Sequence, residues 1–120
     1  PAHTFLDGCS LGGYVSIEVF LRKAKHFGAW GSVQGALGKH RVRGYAEKLA
    51  ELQQRDGKKP VHLETSTGDP FRSHAELMAR ELEKRDVEHE LIVPPGPHNQ
   101  PFLRDSGTLE MLLWYDRLPR

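Results

Sequence analysis

The sequence predicts an α/β fold in which a parallel sheet carries helices on both faces. Short apolar runs of the kind found in buried strands alternate with segments of helical periodicity, and the strand–helix order repeats four times along the chain. This alternation is typical of parallel strands joined by crossover helices. A length of 120 residues fits one domain, so we assign residues 1–120 to a single domain of about four strands and four helices.

Four short apolar segments are the predicted strands: residues 4–6, 27–33, 60–66 and 89–93. Asp7-Gly8 is expected to end the first strand, and the run Pro94-Pro95-Gly96-Pro97 is expected to end the last one, because glycine and proline interrupt regular structure. The glycines of the second segment count against a strand there, because glycine weakens a strand interior.

Four segments have helical character: residues 11–23, 42–52, 71–85 and 105–117. The first is apolar almost all round, so we expect it to be buried on most sides. The second is amphipathic and is stopped by Asp56-Gly57. The last is expected to turn Leu109, Leu112 and Leu113 inward.

Composition excludes several classes of protein. Seventeen Lys and Arg balance sixteen Asp and Glu, which argues against a nucleic-acid-binding surface. The longest uncharged apolar stretch is about ten residues, whereas a membrane-spanning helix needs roughly twenty. No signal peptide is recognised in these residues, which slightly favours the cytoplasm and leaves the compartment open.

The single cysteine, Cys9, excludes an internal disulfide framework and a multi-cysteine zinc site. Histidines other than His98 show no zinc-ligand spacing, so we expect neither a metal nor a cofactor. Cys9 is expected to be buried and to point away from the reacting groups.

Residues 8–13, with the sequence GCSLGG, form a G-x-S-x-G motif between a predicted strand and a predicted helix. A serine on such a tight turn has an exposed hydroxyl above the sheet edge, and the following helix directs its free amides towards it. We therefore predict Ser10 as a nucleophile and the Leu11 N–H as an oxyanion donor. The alternative is a glycine-rich helix start without chemistry.

A base and a residue that orients it are expected at the same edge of the sheet. Asp69 follows the third predicted strand and His98 follows the fourth. Because the carboxyl ends of parallel strands share one edge, the topology should bring Ser10, Asp69 and His98 together, in the chain order used by α/β hydrolases. Asp69 could instead cap the following helix, a role compatible with the first, and His98 could be a surface loop residue.

Other titratable residues are weaker candidates. His62 and His89 lie inside predicted strands and are poor bases, and Glu64 is a weak substitute for Asp69. Asp105 is expected to cap the last helix.

Residues 5–13, together with Gly68-Asp69-Pro70 and Pro97-His98, resemble the esterase family of α/β hydrolases that contains esterase D and S-formylglutathione hydrolase. The resemblance extends over nearly the whole chain and implies Ser10 as nucleophile, His98 as base and Asp69 as its orienting residue. Residues 99–102, with the sequence NQPF, stand where the family often has aromatic residues, which leaves the substrate subfamily open.

Members of that family are about twice as long and carry their serine near the middle. The resemblance therefore implies the C-terminal half of an α/β-hydrolase fold, without the N-terminal strands and the loop that gives a second oxyanion amide. Either of two partners would complete the sheet: a missing N-terminal half, or a second copy of the chain. On its own, the chain is expected to be a poor enzyme.

The predicted function is a serine carboxylic-ester hydrolase, or its C-terminal catalytic portion, that acts on a small-molecule ester through an acyl-enzyme on Ser10. One alternative is a truncated α/β module that binds or assembles through its open sheet edge without catalysis. Another is an acyltransferase that uses the same three residues.

Overall fold

A computed structural model describes residues 3–119 of the chain. In this part of the chain, four parallel strands form one sheet in the order β1-β2-β3-β4. The strands are β1 (Phe5–Cys9), β2 (Ala29–Val33), β3 (Val61–Glu64) and β4 (His89–Ile92). Strands that follow one another in the chain are therefore neighbours in the sheet, and a crossover helix joins each pair, as parallel pairing requires. The predicted α/β class is confirmed.

Strand β1 does not stop at Asp7-Gly8, as the sequence suggested, but continues to Cys9. Gly8 pairs with Ser32 in the ladder between β1 and β2. A Cβ atom on Gly8 would lie 2.0 Å from the carbonyl oxygen of Gly12. This glycine therefore permits the following helix to approach the strand closely, and it does not mark a turn.

Three long helices connect the strands: α1 (Leu11–Arg22), α2 (Lys39–Asp56) and α3 (Arg72–Lys84). A 3-10 turn, Ala24–His26, follows α1. None of the helices among residues 3–119 is both long enough and apolar enough to cross a membrane.

The C-terminal helical segment begins earlier than predicted. It runs without interruption through α4 (Gln100–Phe102), a π-helical turn (Leu103–Gly107) and α5 (Thr108–Arg117). Asn99 caps it, because its Oδ1 accepts a hydrogen bond of 3.0 Å from the amide of Phe102. The expected capping role of Asp105 is wrong: this exposed carboxylate lies in the π-helical turn and pairs with Arg104.

The larger core lies between one face of the sheet and helices α1, α2 and α3. Trp30 of β2 is fully buried at its centre, and its Nε1 donates to Ser16 Oγ at 2.8 Å. The apolar side chains around it come from all three helices and from β3: Ile17, Phe20, Val42, Ala46, Leu49, Leu63, Met78 and Leu82. This burial supplies the main hydrophobic stabilisation of the domain.

Helix α5 covers the opposite face of the sheet, where Met111 and Trp114 pack against Ala29 and Val33. Helices therefore lie on both faces, as predicted.

The expected inward face of α5 was wrong: Leu109, Leu112 and Leu113 are 53%, 58% and 47% exposed. The helix carries two apolar stripes, and the sheet takes the one with Met111 and Trp114. The indole ring of Trp114 stacks on His62 of β3 at 4.7 Å, which a leucine could not reproduce.

Helix α1 is buried on one side only, and the expectation of burial on most sides was wrong. Ile17 and Phe20 are fully buried, whereas Leu11, Val15 and Val19 are 66%, 50% and 39% exposed. These three residues follow one another at helical spacing, and we call them the α1 stripe. Within residues 3–119, β1 is an edge strand, because no further strand pairs with it on the side away from β2.

Candidate active site

Ser10 joins the end of β1 to the start of α1 in a strained backbone conformation, with φ 54° and ψ −121°. A positive φ is costly for a residue with a Cβ atom, and it persists only where surrounding contacts impose it. Here the amide of Ser10 donates to the carbonyl of Val33 at 2.9 Å. Its carbonyl accepts from the amides of Gly13 and Ala36 at 3.0 and 2.9 Å.

Two glycines allow this turn to pack against its neighbours. Gly8 lies against the carbonyl of Gly12, and a Cβ atom on Gly13 would lie 2.6 Å from the Cα of Gly35. By contrast, a Cβ atom on Gly12 would meet nothing within 4 Å. The second glycine of the G-x-S-x-G pattern is therefore not required by packing among the described residues.

The structure brings together the three side chains predicted to form the site. Ser10 Oγ lies 3.0 Å from His98 Nε2, although the two residues are 88 positions apart in the chain. His98 Nδ1 lies 2.8 Å from Asp69 Oδ1. With the imidazole proton on Nδ1 and donated to the carboxylate, Nε2 presents a lone pair to the serine hydroxyl.

Asp69 is held by several donors in a buried setting. Its side chain is fully buried, whereas that of His98 is 18% exposed. Thr65 Oγ1 donates to Oδ2 at 2.6 Å, and the amide of Phe71 donates to Oδ1 at 3.0 Å. Asp69 therefore contacts the imidazole and also closes the turn that leads into α3. The capping role considered for it is wrong, because the N-cap position of α3 is Phe71 and no side chain caps it.

The loop that carries His98 is anchored to the loop after β3. The amide of Gly68 donates to the carbonyl of Gly96 at 2.8 Å, and Gly68 and Pro97 form an isolated parallel bridge. The ring of Phe71 contacts the imidazole of His98 edge-on, with 5.5 Å between the ring centroids. These contacts fix the height of the imidazole above the sheet edge.

Gln34 also reaches this loop, and the sequence interpretation missed it. Its Nε2 donates to the carbonyl of Pro97, next to His98, at 2.9 Å. Gln34 follows the carboxyl end of β2, so the same edge argument that selected Asp69 and His98 could have selected it. Its residue type gave no chemical signal, because glutamine is neither a base nor a nucleophile.

Leu11 is the first residue of α1, where the amides of the first helical turn have no acceptor within the helix. The residue is 66% exposed and directly follows Ser10. Cys9, expected to be buried, is exposed. It lies on β1, beyond which the described residues place no further strand.

The weaker candidates lie elsewhere. Glu64 contacts His62, with 3.1 Å between Oε2 and Nε2, and it makes no bond to His98. Burial lowers the pKa of His62 and raises the pKa of Glu64 to about 9. His89 Nδ1 lies 2.9 Å from the carbonyl of Val87.

A second group of polar side chains lies beneath α5. His62, Glu90 and Glu110 have ligand-type atoms within 4.8 Å of one another. Arg117 already contacts both carboxylates, at 3.2 Å for Glu90 and 3.0 Å for Glu110. Glu90 and Arg117 also border a cavity of about 600 Å³ at the edge where the strands begin, opposite the edge of Ser10.

No protein-family model and no curated protein matches the sequence. Solved structures do match. A ferulic acid esterase superposes with a TM-score of 0.75 at 14% identity over 92% of this chain and 49% of its own. An S-formylglutathione hydrolase from Staphylococcus aureus gives 0.75 at 15% identity over 92% and 50%. A fluorophosphonate-binding serine hydrolase from the same species gives 0.77 at 14% identity over 92% and 53%.

Residues 3–119 share the architecture of these structures, which is a partial α/β-hydrolase fold that matches its C-terminal portion. The chain spans about half the length of the structures it matches. Identities of 14–15% establish the architecture alone, so the chemistry has to be argued from the side chains at the sheet edge.

Proposed function

We propose that this chain is the catalytic portion of a serine esterase that cleaves small carboxylic esters through an acyl-enzyme on Ser10. The observation that carries the proposal is the hydrogen-bonded series Ser10–His98–Asp69, at 3.0 and 2.8 Å, on a strained turn at the carboxyl edge of the sheet. The names of the structural neighbours support the same class of reaction: an esterase, an S-formylglutathione hydrolase and a fluorophosphonate-binding serine hydrolase.

The geometry supports a two-step reaction. Ser10 Oγ attacks the acyl carbonyl carbon while its proton passes to His98 Nε2, and Asp69 stabilises the resulting imidazolium. The tetrahedral intermediate then expels the alcohol, which takes the proton from His98. Water, deprotonated by His98, attacks the acyl-enzyme and releases the acid, which restores Ser10.

The oxyanion of the intermediate is proposed to accept from the Leu11 amide. One donor makes an incomplete oxyanion hole, and the absence of a second costs about 3 kcal/mol of transition-state stabilisation. We therefore expect slow turnover from this chain by itself.

We further propose that an additional α/β segment of the hydrolase fold completes the sheet. Within the described residues, β1 is paired only with β2, and the α1 stripe lies exposed beside it. A strand edge next to an exposed apolar helix face favours addition of a further strand and helix. A second copy of this chain is the alternative occupant, and the mass of the assembly in solution separates the two.

Turnover of a small aryl ester tests the catalytic assignment. Ser10→Ala and His98→Ala should each lower kcat by at least about a thousandfold, and Asp69→Ala should do so by a comparable factor. Ser106→Ala is the matched control, since Ser106 is exposed in the C-terminal helical segment, and it should leave turnover unchanged. Equal rates for all four variants would overturn the proposal and favour a non-catalytic module.

Product analysis separates hydrolysis from acyl transfer. In the presence of an added alcohol, an esterase releases mainly the free acid, whereas an acyltransferase forms the new ester. Predominant new ester would assign the same three residues to acyl transfer.

A further inference from the structure

Gln34 combines three features that are individually unfavourable. It is fully buried, its backbone has a positive φ of 51°, and its Oε1 is buried without a hydrogen-bond partner among the described residues. Buried polar atoms are nearly always bonded, and positive φ is uncommon outside glycine. A residue that keeps a positive φ and an unbonded buried oxygen is held in place by its other contacts, and such residues cluster at functional sites.

The remaining interactions are made by the Gln34 amide nitrogen. Nε2 donates to Ser66 Oγ at 2.8 Å and to the Pro97 carbonyl at 2.9 Å. Ser66 Oγ in turn lies 3.4 Å from the same carbonyl. Both protons of the amide are thus directed at the loops after β3 and β4, and the second bond ends on the peptide group that precedes His98.

The backbone around Gln34 holds the other reacting side chain. The carbonyl of Val33 accepts from the amide of Ser10, and the amide of Ala36 donates to the carbonyl of Ser10. The backbone N–H of Gln34 donates to the backbone carbonyl of Glu64 at 2.7 Å. Residues 33–36 therefore clamp the serine turn through the backbone and the histidine loop through one side chain.

We propose that Gln34 is a positioning residue that sets the distance between Ser10 Oγ and His98 Nε2. This inference rests on the proposed function, because it assigns Gln34 a role in proton transfer between those two atoms. Gln34 touches neither atom, so it acts through the Pro97 peptide. Only a side chain with two amide protons at this length makes both bonds: methionine fills the volume without donating, and a glutamate carboxylate would face the Pro97 carbonyl without a proton.

The test compares Gln34→Met with Gln53→Met. Gln53 is the matched control, because its Nε2 also donates to a backbone carbonyl, that of Lys59 at 2.8 Å, on α2 away from the site. The rate constant for covalent labelling by a fluorophosphonate is measured for folded protein of each variant. We expect Gln34→Met to label about 10–100-fold more slowly and Gln53→Met to label at the original rate, because a small displacement of a catalytic group is costly.

A spectroscopic readout separates positioning from loss of stability. The Nδ1 proton of His98, bonded to Asp69, should give a downfield proton resonance. We expect this resonance to shift or broaden in Gln34→Met and to remain in place in Gln53→Met. If Gln34→Met does not fold, Ser66→Ala removes one acceptor of the same amide, and it should give the same two changes in smaller degree.

The outcomes distinguish the inference from the function on which it rests. Labelling of the original protein that survives Ser10→Ala overturns the proposed function, whatever Gln34 does. Labelling that requires Ser10 but proceeds equally fast in Gln34→Met, with the His98 resonance unmoved, overturns the positioning role alone. Slower labelling together with a shifted resonance supports both.

Discussion

Replacement of Glu64 by glutamine should stabilise the protein, and more so as the pH rises. Glu64 is 4% exposed in the centre of the sheet, and its carboxyl group contacts His62. Burial raises its pKa from 4.5 to about 9, and the negative charges of Glu110 and Asp7 add to this effect. The folded protein therefore keeps this carboxyl protonated at neutral pH, whereas the unfolded chain ionises it.

The magnitude follows from this difference. Because the folded pKa lies above the unfolded one, the folded state binds the additional proton between pH 4.5 and 9, and the free energy of unfolding falls as the pH rises through that window. Each pH unit within the window costs about 1.4 kcal/mol. Between pH 6 and 8 the free energy of unfolding of the original protein should therefore fall by about 3 kcal/mol through this group. The Glu64→Gln variant has no such proton, so it should not show this fall.

Urea unfolding at pH 6, 7 and 8 measures this difference directly. The free energy of unfolding of Glu64→Gln minus that of the original protein should become steadily more positive over the three values. Glu51→Gln, an exposed substitution on α2, is the control and should change the free energy by less than about 0.5 kcal/mol at each pH. A difference for Glu64→Gln that is the same at pH 6 and pH 8 would refute the assignment of a buried, protonated carboxyl group.

Two further predictions concern the serine turn and helix α1. Gly8→Ala should lower the free energy of unfolding by about 2 kcal/mol or more, because its Cβ would overlap the Gly12 carbonyl, whereas Gly12→Ala should be neutral or stabilising by up to about 1 kcal/mol. Equal effects in urea unfolding would contradict this reading of the motif. Val15→Gln should change the free energy of unfolding by less than about 0.5 kcal/mol, since Val15 is half exposed. Ile17→Ala should lower the free energy of unfolding by about 2–5 kcal/mol, because Ile17 is fully buried. A cost above about 1 kcal/mol for Val15→Gln would mean that part of the α1 stripe is already covered.

The arrangement of strands could be predicted from the sequence because it depends on coarse properties. Alternating apolar runs and helical periods define the order of elements, and a parallel sheet places all strand carboxyl ends at one edge. The meeting of Ser10, Asp69 and His98 follows from that topology and does not depend on the exact bounds of any element.

Other features depend on which of several comparable surfaces is covered, and the sequence alone does not decide that. Helix α5 has two apolar stripes, and the sheet is covered by the one whose Trp114 packs in the cluster with Ala29 and Val33 and stacks on His62. The exposure of Cys9 and Val15 depends on what lies beyond β1. Gln34 could be recognised only from its contacts, because its role depends on where two loops pass and not on its own reactivity.

An intact-mass spectrum, recorded with and without a fluorophosphonate, shows whether Ser10 is an activated nucleophile. The reagent forms an Oγ–phosphorus bond, releases fluoride, and leaves the serine proton on His98. We expect a single adduct that maps to Ser10, disappears in Ser10→Ala and is still formed in Cys9→Ser. No adduct on a folded chain, or one that persists in Ser10→Ala, would contradict it.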